Sequence, residues 1–291
     1  MKKRKFTKPA LQVFELIAFL EGKGLILGDR IFAERCLKYI GYYRLKIYTR
    51  PFEDRHKRFI SGSSFEDIVD LYNFDRRLRL HCLDAIERIE VALRSHIINI
   101  VGITGGPHFY YDEKFFQNKG AVTKIRRRAE LGRHLSIAHY KNQYDAPHLP
   151  PIWCIMEACT FGDLSHWYAD LDITYRKKIA SGFGFHETIC VSWFRSLATL
   201  RNVCAHHGRL WNADLHVDKP IKAKRWAADL QENTKPYSRF VVLAALLDEI
   251  DPGANHGWRP RMIDLINDRP PFVQLSAMGF PDDWREREVW Q

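Results

Sequence analysis

One stretch of the chain gathers the residue types that move protons and hold anions: Arg201-Asn202-Val203-Cys204-Ala205-His206-His207-Gly208-Arg209-Leu210-Trp211-Asn212. Histidine titrates near neutral pH and can take up or give a proton. Arginine keeps its charge and presents a planar fork to phosphate oxygens. Together they suit phosphodiester cleavage without a metal: a histidine moves the proton, and an arginine steadies charge building on the phosphoryl oxygens. RNA carries an internal nucleophile in its 2′-hydroxyl. DNA does not, so RNA is the natural substrate for this set.

The surrounding pattern predicts how these residues are held. Trp193, Leu197, Leu200 and Cys204 form an apolar stripe at helical spacing, giving a helix over 187–206 with Gly208 as its stop. Arg201 lies beside that stripe, where an unpaired guanidinium is costly, so it needs an anion. At about 100° per residue, Arg201 and His206 stand roughly 140° apart, while Asn202 and His206 share a face. A centre using both Arg201 and His206 therefore needs a distorted last turn or a second copy of the chain. The competing reading is structural: a histidine pair meets the helix macrodipole, and Arg201 pairs with Glu87 or Glu90.

A longer element lies upstream. Ser63-x-x-Glu66 has the capping-box pattern. Leu71, Phe74, Leu78, Cys82, Ile86, Ile89, Leu93, Ile97 and Ile100 come after it at a mean step of about 3.6 residues. Such a helix would run roughly 50 Å and could carry a bundle or a dimer interface. Glu90 and Arg94 on it are spaced as an ion pair, and one of its charged residues could orient Arg201.

Further helices are predicted near 9–21, from a cap at Asp29 through Leu37, over 119–143, near 152–160, 163–170 and 174–181, and near 220–232, 237–249 and 259–267. Tyr39 to Leu45 reads as a tight aromatic turn, and 46–62 as loop or short hairpin. No Ser/Gly-rich linker or long β alternation interrupts the pattern. The expectation is an all-α bundle with a long central helix and peripheral helical additions. It forms one unit over 1–291, with its core about 63–215, an N-terminal segment 1–62 and a C-terminal extension 216–291.

The 291 residues are 46% apolar and 27% charged, which excludes a disordered or fibrous chain. The net charge of +10 favours a polyanionic partner, nucleic acid or an acidic membrane surface. Val241 to Leu247 is far short of the roughly 20 apolar residues of a membrane span. Lys2-Lys3-Arg4-Lys5 resembles the start of an export signal, but Lys8, Pro9, Gln12 and Glu15 interrupt the apolar stretch after it. The six cysteines sit in apolar helical contexts without paired spacing, so a cytoplasmic protein with reduced thiols is expected.

The 201–212 segment resembles the signature of the Abi-like (AbiD/AbiF-type) family of bacterial abortive-infection proteins. So do Ile40-Gly41-Tyr42-Tyr43-Arg44-Leu45, Asp84-Ala85-Ile86-Glu87-Arg88-Ile89-Glu90-Val91-Ala92-Leu93-Arg94, Leu149-Pro150-Pro151-Ile152-Trp153 and Phe161-Gly162-x-Leu164-Ser165, in the family's order. The resemblance extends to the HEPN superfamily of helical bundles, whose nucleases carry Arg-x(4–6)-His. It implies a metal-independent endoribonuclease toxin in phage defence, acting as a homodimer with two motif helices across one cleft. Arg201, Asn202 and His206 match that motif, and His207 fits its spacing too. A cognate small RNA is the alternative partner, for a chain that binds RNA with little catalysis of its own. A non-enzymatic helical interaction protein is the remaining alternative.

Lys124, Arg126, Arg127, Arg128, Arg133 and Arg209 are the candidate RNA-binding cations. The bland reading of the 124–133 set is a solvated helix face. Tyr42, Tyr43, Phe109, Tyr110 and Tyr111 could stack bases, though such aromatics are more often core. His186-x3-Cys190 and Cys204-x-His206 lie within or beside one helix, with no ligand pair on a second element. No metal and no cofactor are expected.

Overall fold

The computed structural model describes residues 5, 7, 9–250 and 255–291. Of the basic N-terminal run, Lys2, Lys3 and Arg4 lie outside them, as does Lys8. The fold is all-α, and the described residues carry no strand beyond isolated bridges.

The chain divides into two compact units, and the division falls inside one helix, between Arg77 and Leu78. The first unit runs to Arg77 and includes Asp268–Val273. It holds α1 (Val13–Gly22), α2 (Arg30–Tyr39) and the one-turn α3 (Tyr42–Leu45). Asp29 caps α2 as expected, accepting from Phe32 N at 2.9 Å. Residues 46–62 are loop with one 3-10 turn, Arg50–Phe52, and a lone bridge between Glu53 and Phe59.

The long helix α4 (Phe65–Ile97) begins one residue later than its predicted cap allows. Ser64 and Asp67 form the reciprocal pair: Asp67 N donates to Ser64 Oγ at 3.1 Å, and Ser64 N to Asp67 at 3.2 Å. Glu66 instead accepts from Asp29 N at 2.9 Å, tying α2 to α4. The periodic stripe from Leu71 to Ile97 is buried throughout. A π-helical segment, Ile98–Gly102, continues α4 into α5 (Ile103–Gly105).

The second unit comprises Leu78–Asn267 and Gln274–Gln291. The single helix expected over 119–143 is two, α6 (Gly120–Leu131) and α7 (Leu135–Gln143). They part at Gly132, whose backbone turns extended. A Cβ there would lie 2.5 Å from Ile137 Cδ1 and 2.6 Å from Arg128 O, so α7 folds back against a position only glycine fits. The helices α8 (Ile152–Glu157), α9 (Phe161–Asp170), α10 (Ile173–Ser181) and α11 (Glu187–Ala205) stand near their predicted places.

The core centres on α11. Its Phe194 ring packs 5.2 Å from Tyr168 on α9 and 5.1 Å from Phe183. Behind it lies α12 (Pro236–Ile250), buried on all sides from Pro236 to Leu247. Arg239 in α12 is fully buried and has carbonyls for partners: it donates to Leu215 O at 2.8 Å and to Asn233 O. Burial lowers its pKa to about 10, which leaves it charged at neutral pH.

No helix forms over 220–232; Lys224–Trp226 makes one 3-10 turn. The segment is tied at its ends, by Leu215 N to Thr234 O at 2.7 Å and Asn233 Nδ2 to Pro220 O at 3.1 Å. Tertiary bonds thus override helix propensity there. Beyond it, α13 (Asn255–Asn267) lies on α4. Trp258 stacks on His81 at 4.9 Å; Trp258 Nε1 donates to His81 O and His81 Nε2 to Trp258 O, each at 2.9 Å, and Arg261 pairs with Asp84 at 2.8 Å. Short 3-10 turns complete the tail.

Candidate active site

The residues singled out at 201–209 gather at the C-terminal end of α11. Trp193, Leu197, Leu200 and Cys204 are buried, as an inward stripe should be. Trp193 is further fixed by donating from Nε1 to Ile221 O at 2.9 Å. Arg201, next to the stripe, is half-buried, and Asn202 and His206 are exposed. Among the described residues, no hydrogen bond or ion pair engages the side chains of Arg201, Asn202 or His206.

Glu90 on α4 feels the charge of Arg201. Burial pushes the Glu90 carboxyl above its usual range; Arg94 and then Arg201 pull it back, while Glu87 adds to the rise. Arg94 holds Glu90 at 3.1 Å and also reaches Glu157 at 3.8 Å. Glu90 thus shares its charge between two arginines, and of the two only Arg94 is hydrogen-bonded to it among the described residues.

The end of α11 is a Schellman motif. Gly208 N donates to Val203 O at 2.7 Å, and His207 N to Cys204 O at 3.1 Å. His207, not a glycine, takes the left-handed position, with φ +59°. A residue with a Cβ is strained there. Gly208 is fixed by space instead, since a Cβ on it would sit 2.9 Å from Val203 Cγ1 and 3.0 Å from Val203 O. Before this turn the helix is regular: His206 N still bonds Asn202 O at 3.0 Å. Arg201 and His206 therefore keep their wide helical separation within one chain.

A residue that the sequence pattern does not single out supports this turn. Arg79 on α4 is buried, and its guanidinium donates to Gly208 O at 3.4 Å. Its only signal in the sequence is a charged residue directly after Leu78 in the apolar stripe. Arg209 is half-buried over the Trp211 ring at 5.8 Å.

The basic set on α6 and its turn is split. Arg126 donates to Tyr111 O at 2.9 Å and lies 4.7 Å over that ring. Arg128 bonds Ala158 O at 2.8 Å and pairs with Asp163 at 2.5 Å. Lys124, Arg127 and Arg133 are exposed. Lys124, Arg127 and Arg128 share a cavity of about 560 Å³ with His166 and Trp167. Phe109 and Tyr110 are buried, and Tyr110 donates to Pro150 O at 2.6 Å, so these two serve as core.

His186 is the N-cap of α11, accepting from Thr188 N at 3.4 Å. Cys190 is buried among Tyr168 and its neighbours, and burial pushes its thiol up to about 12. Among the described residues, no three of His, Cys, Asp and Glu come together as a metal site, and no helix is long and apolar enough to cross a membrane.

No curated protein and no solved structure matches this chain. A family model of Abi-like proteins matches residues 35–212, a span that takes in α4, the Glu90 cluster and the whole end of α11. The chain belongs to the Abi-like protein family.

Proposed function

We propose that this abortive-infection protein is a metal-independent endoribonuclease of the HEPN type, acting in the cytoplasm as a homodimer. One observation carries the reading: a half-buried arginine with no bonded anion among the described residues, beside an exposed Asn202 and His206 whose side chains have no polar partner among them. A structural arginine this close to a helix core would be paired. Here the site is set to receive an anion from outside the chain.

One bond exchange and two proton transfers make up the reaction. The 2′-oxygen of RNA bonds to the neighbouring phosphorus, and the bond from phosphorus to the 5′-oxygen breaks. The 2′-hydroxyl proton passes to one imidazole, and a second imidazole protonates the leaving 5′-oxygen. The products are a 2′,3′-cyclic phosphate and a 5′-hydroxyl. Arg201 meets the charge on the non-bridging oxygens. The regular helix between Arg201 and His206 keeps them off one face, so an opposed copy of α11 supplies the complement. Two copies also supply the two imidazoles.

The test is incubation of purified wild type and Arg201→Ala/His206→Ala with mixed RNAs in EDTA, with the product ends then identified. Cleavage by wild type alone, leaving cyclic phosphate, is the expected result. Equal cleavage by the double variant overturns the reading.

A further inference from the structure

The first unit holds a groove of about 970 Å³ between α1, α3 and the 46–57 loop. Its apolar wall joins three aromatic residues, Phe19, Tyr42 and Tyr43, to aliphatic ones of α1 and α2. Phe19 meets Tyr42 edge-on at 6.1 Å, and Tyr43 is 93% exposed. Tyr43 is not a lone exposed residue, since Phe19 and Tyr42 line the same groove, and a contiguous exposed patch marks a binding surface.

The rim is cationic. Lys23, Lys38, Lys46, Arg50 and Lys57 line the groove against a single acid, Glu53. Glu53 accepts from Thr49 Oγ1 at 2.8 Å, and none of the five cations forms an ion pair among the described residues. Lys23 and Lys38 lie over aromatic rings, at 4.8 Å from Phe19 and 5.3 Å from Tyr39. Lys57 is held at φ +62°, a backbone conformation strained for any residue with a Cβ. Five cations against one acid give the concavity an excess of positive charge, which suits a polyanion.

We infer that this groove binds a single-stranded segment of nucleic acid, with its bases stacked on Tyr43 and Phe19 and its phosphates along the lysine rim. Alternating aromatic faces and cations is what a sequence-tolerant single-strand site requires. A duplex hides its base faces and cannot use Tyr43. The assignment goes beyond the cleavage centre and does not need it, because no residue of α11 takes part.

The test is binding of fluorescent twelve-nucleotide single strands, poly-U and poly-A, and the matching duplex. It uses the full chain carrying Arg201→Ala/His206→Ala so that the RNA stays intact. On that background, Lys38→Glu/Lys46→Glu/Lys57→Glu should weaken single-strand binding at least tenfold. It should also flatten the log–log salt slope by about 2, at roughly 0.7 per lost phosphate contact. Tyr43→Ala should weaken it about tenfold while leaving circular dichroism and the melting midpoint unchanged. Unaltered affinity in both variants, equal affinity for duplex, or no binding at low salt overturns the proposal. So does a loss confined to phosphatidylglycerol vesicles, which would make the groove a membrane contact. A chain that binds here and never cleaves RNA would refute the nuclease reading and leave this one standing.

Discussion

Gly208 reaches back to the carbonyl of Val203 at 2.7 Å, and that bond sets where both candidate histidines stand. It closes the helix around His207, which takes the left-handed position, and leaves His206 as the last residue still bonded into α11. His207 has an interaction of its own within the chain; among the described residues, none engages the His206 ring.

That difference gives the first prediction. His206→Ala and Arg201→Ala should each lower RNA cleavage by about 100-fold or more. His207→Ala should cost less than about tenfold. Since neither the Arg201 nor the His206 side chain has a bonded partner among the described residues, the melting midpoints of these two variants should move by no more than about 3 °C. Rate measurements on the three single variants, with thermal melts, decide it. A larger loss from His207→Ala would transfer the proton-moving role to that residue.

Glu90 supplies the second. Its carboxyl titrates above the usual carboxylate range because burial outweighs the pull of Arg94 and Arg201. The folded state therefore holds this proton more tightly than the unfolded chain does. The stability tied to it is present below the unfolded value and is lost as pH rises through the raised folded value. Relative to wild type, Glu90→Gln should gain stability as pH rises from about 4 towards 7. Urea melts across that range measure it; a flat difference would show that Glu90 is not displaced. If Glu90 steers Arg201, the same variant should also lower the cleavage rate while RNA affinity holds.

The start of α4 gives the third. Ser64→Ala removes the acceptor of Asp67 N and should cost about 1 kcal/mol. Ser63→Ala should cost less, since its hydroxyl makes only a 3.4 Å bond to Phe52 O. Equilibrium unfolding of the two variants compares them directly. Equal losses would return the cap to Ser63.

The thiols give the fourth. Cys159 and Cys190 are buried, with pKa values pushed up to about 12, so their thiolates are scarce at pH 8. Of the six cysteines, only Cys154 is not buried. Brief alkylation of the native protein should modify Cys154 first, and the other five only after denaturant is added. Peptide mass mapping reads the order. Early labelling of Cys159 or Cys190 would mean that α9 and α11 do not pack as described.

Periodicity made α4 and α11 legible because a single apolar face repeated without interruption in each, from Leu71 to Ile97 and from Trp193 to Cys204. The candidate site residues sit in one run, so the helix that the pattern predicts over 187–206 carries them together. What the pattern missed was decided by contacts distant in sequence. Gly132 breaks 119–143 because Ile137 must come close to it, and periodicity carries no trace of that approach. Arg79 was hidden because its partner, the carbonyl of Gly208, lies 129 residues on. Ser64 displaced Ser63 because Glu66 was taken by the backbone of Asp29. The aromatic turn at 39–45 was visible as residues, but the groove they line needs α1 and the 46–57 loop to exist.

The packing of α12 and α13 bears on how this chain can be handled. The shared sequence ends at Asn212, yet Trp193 has its indole partner at Ile221, and His81 has its own at Trp258. A protein trimmed to 35–212 would expose one whole flank of α11 and strip both tryptophan contacts. The excised piece should collect in inclusion bodies while the full chain stays in solution. The contacts of Trp193 and His81 thus reach beyond the residues that the family model matches.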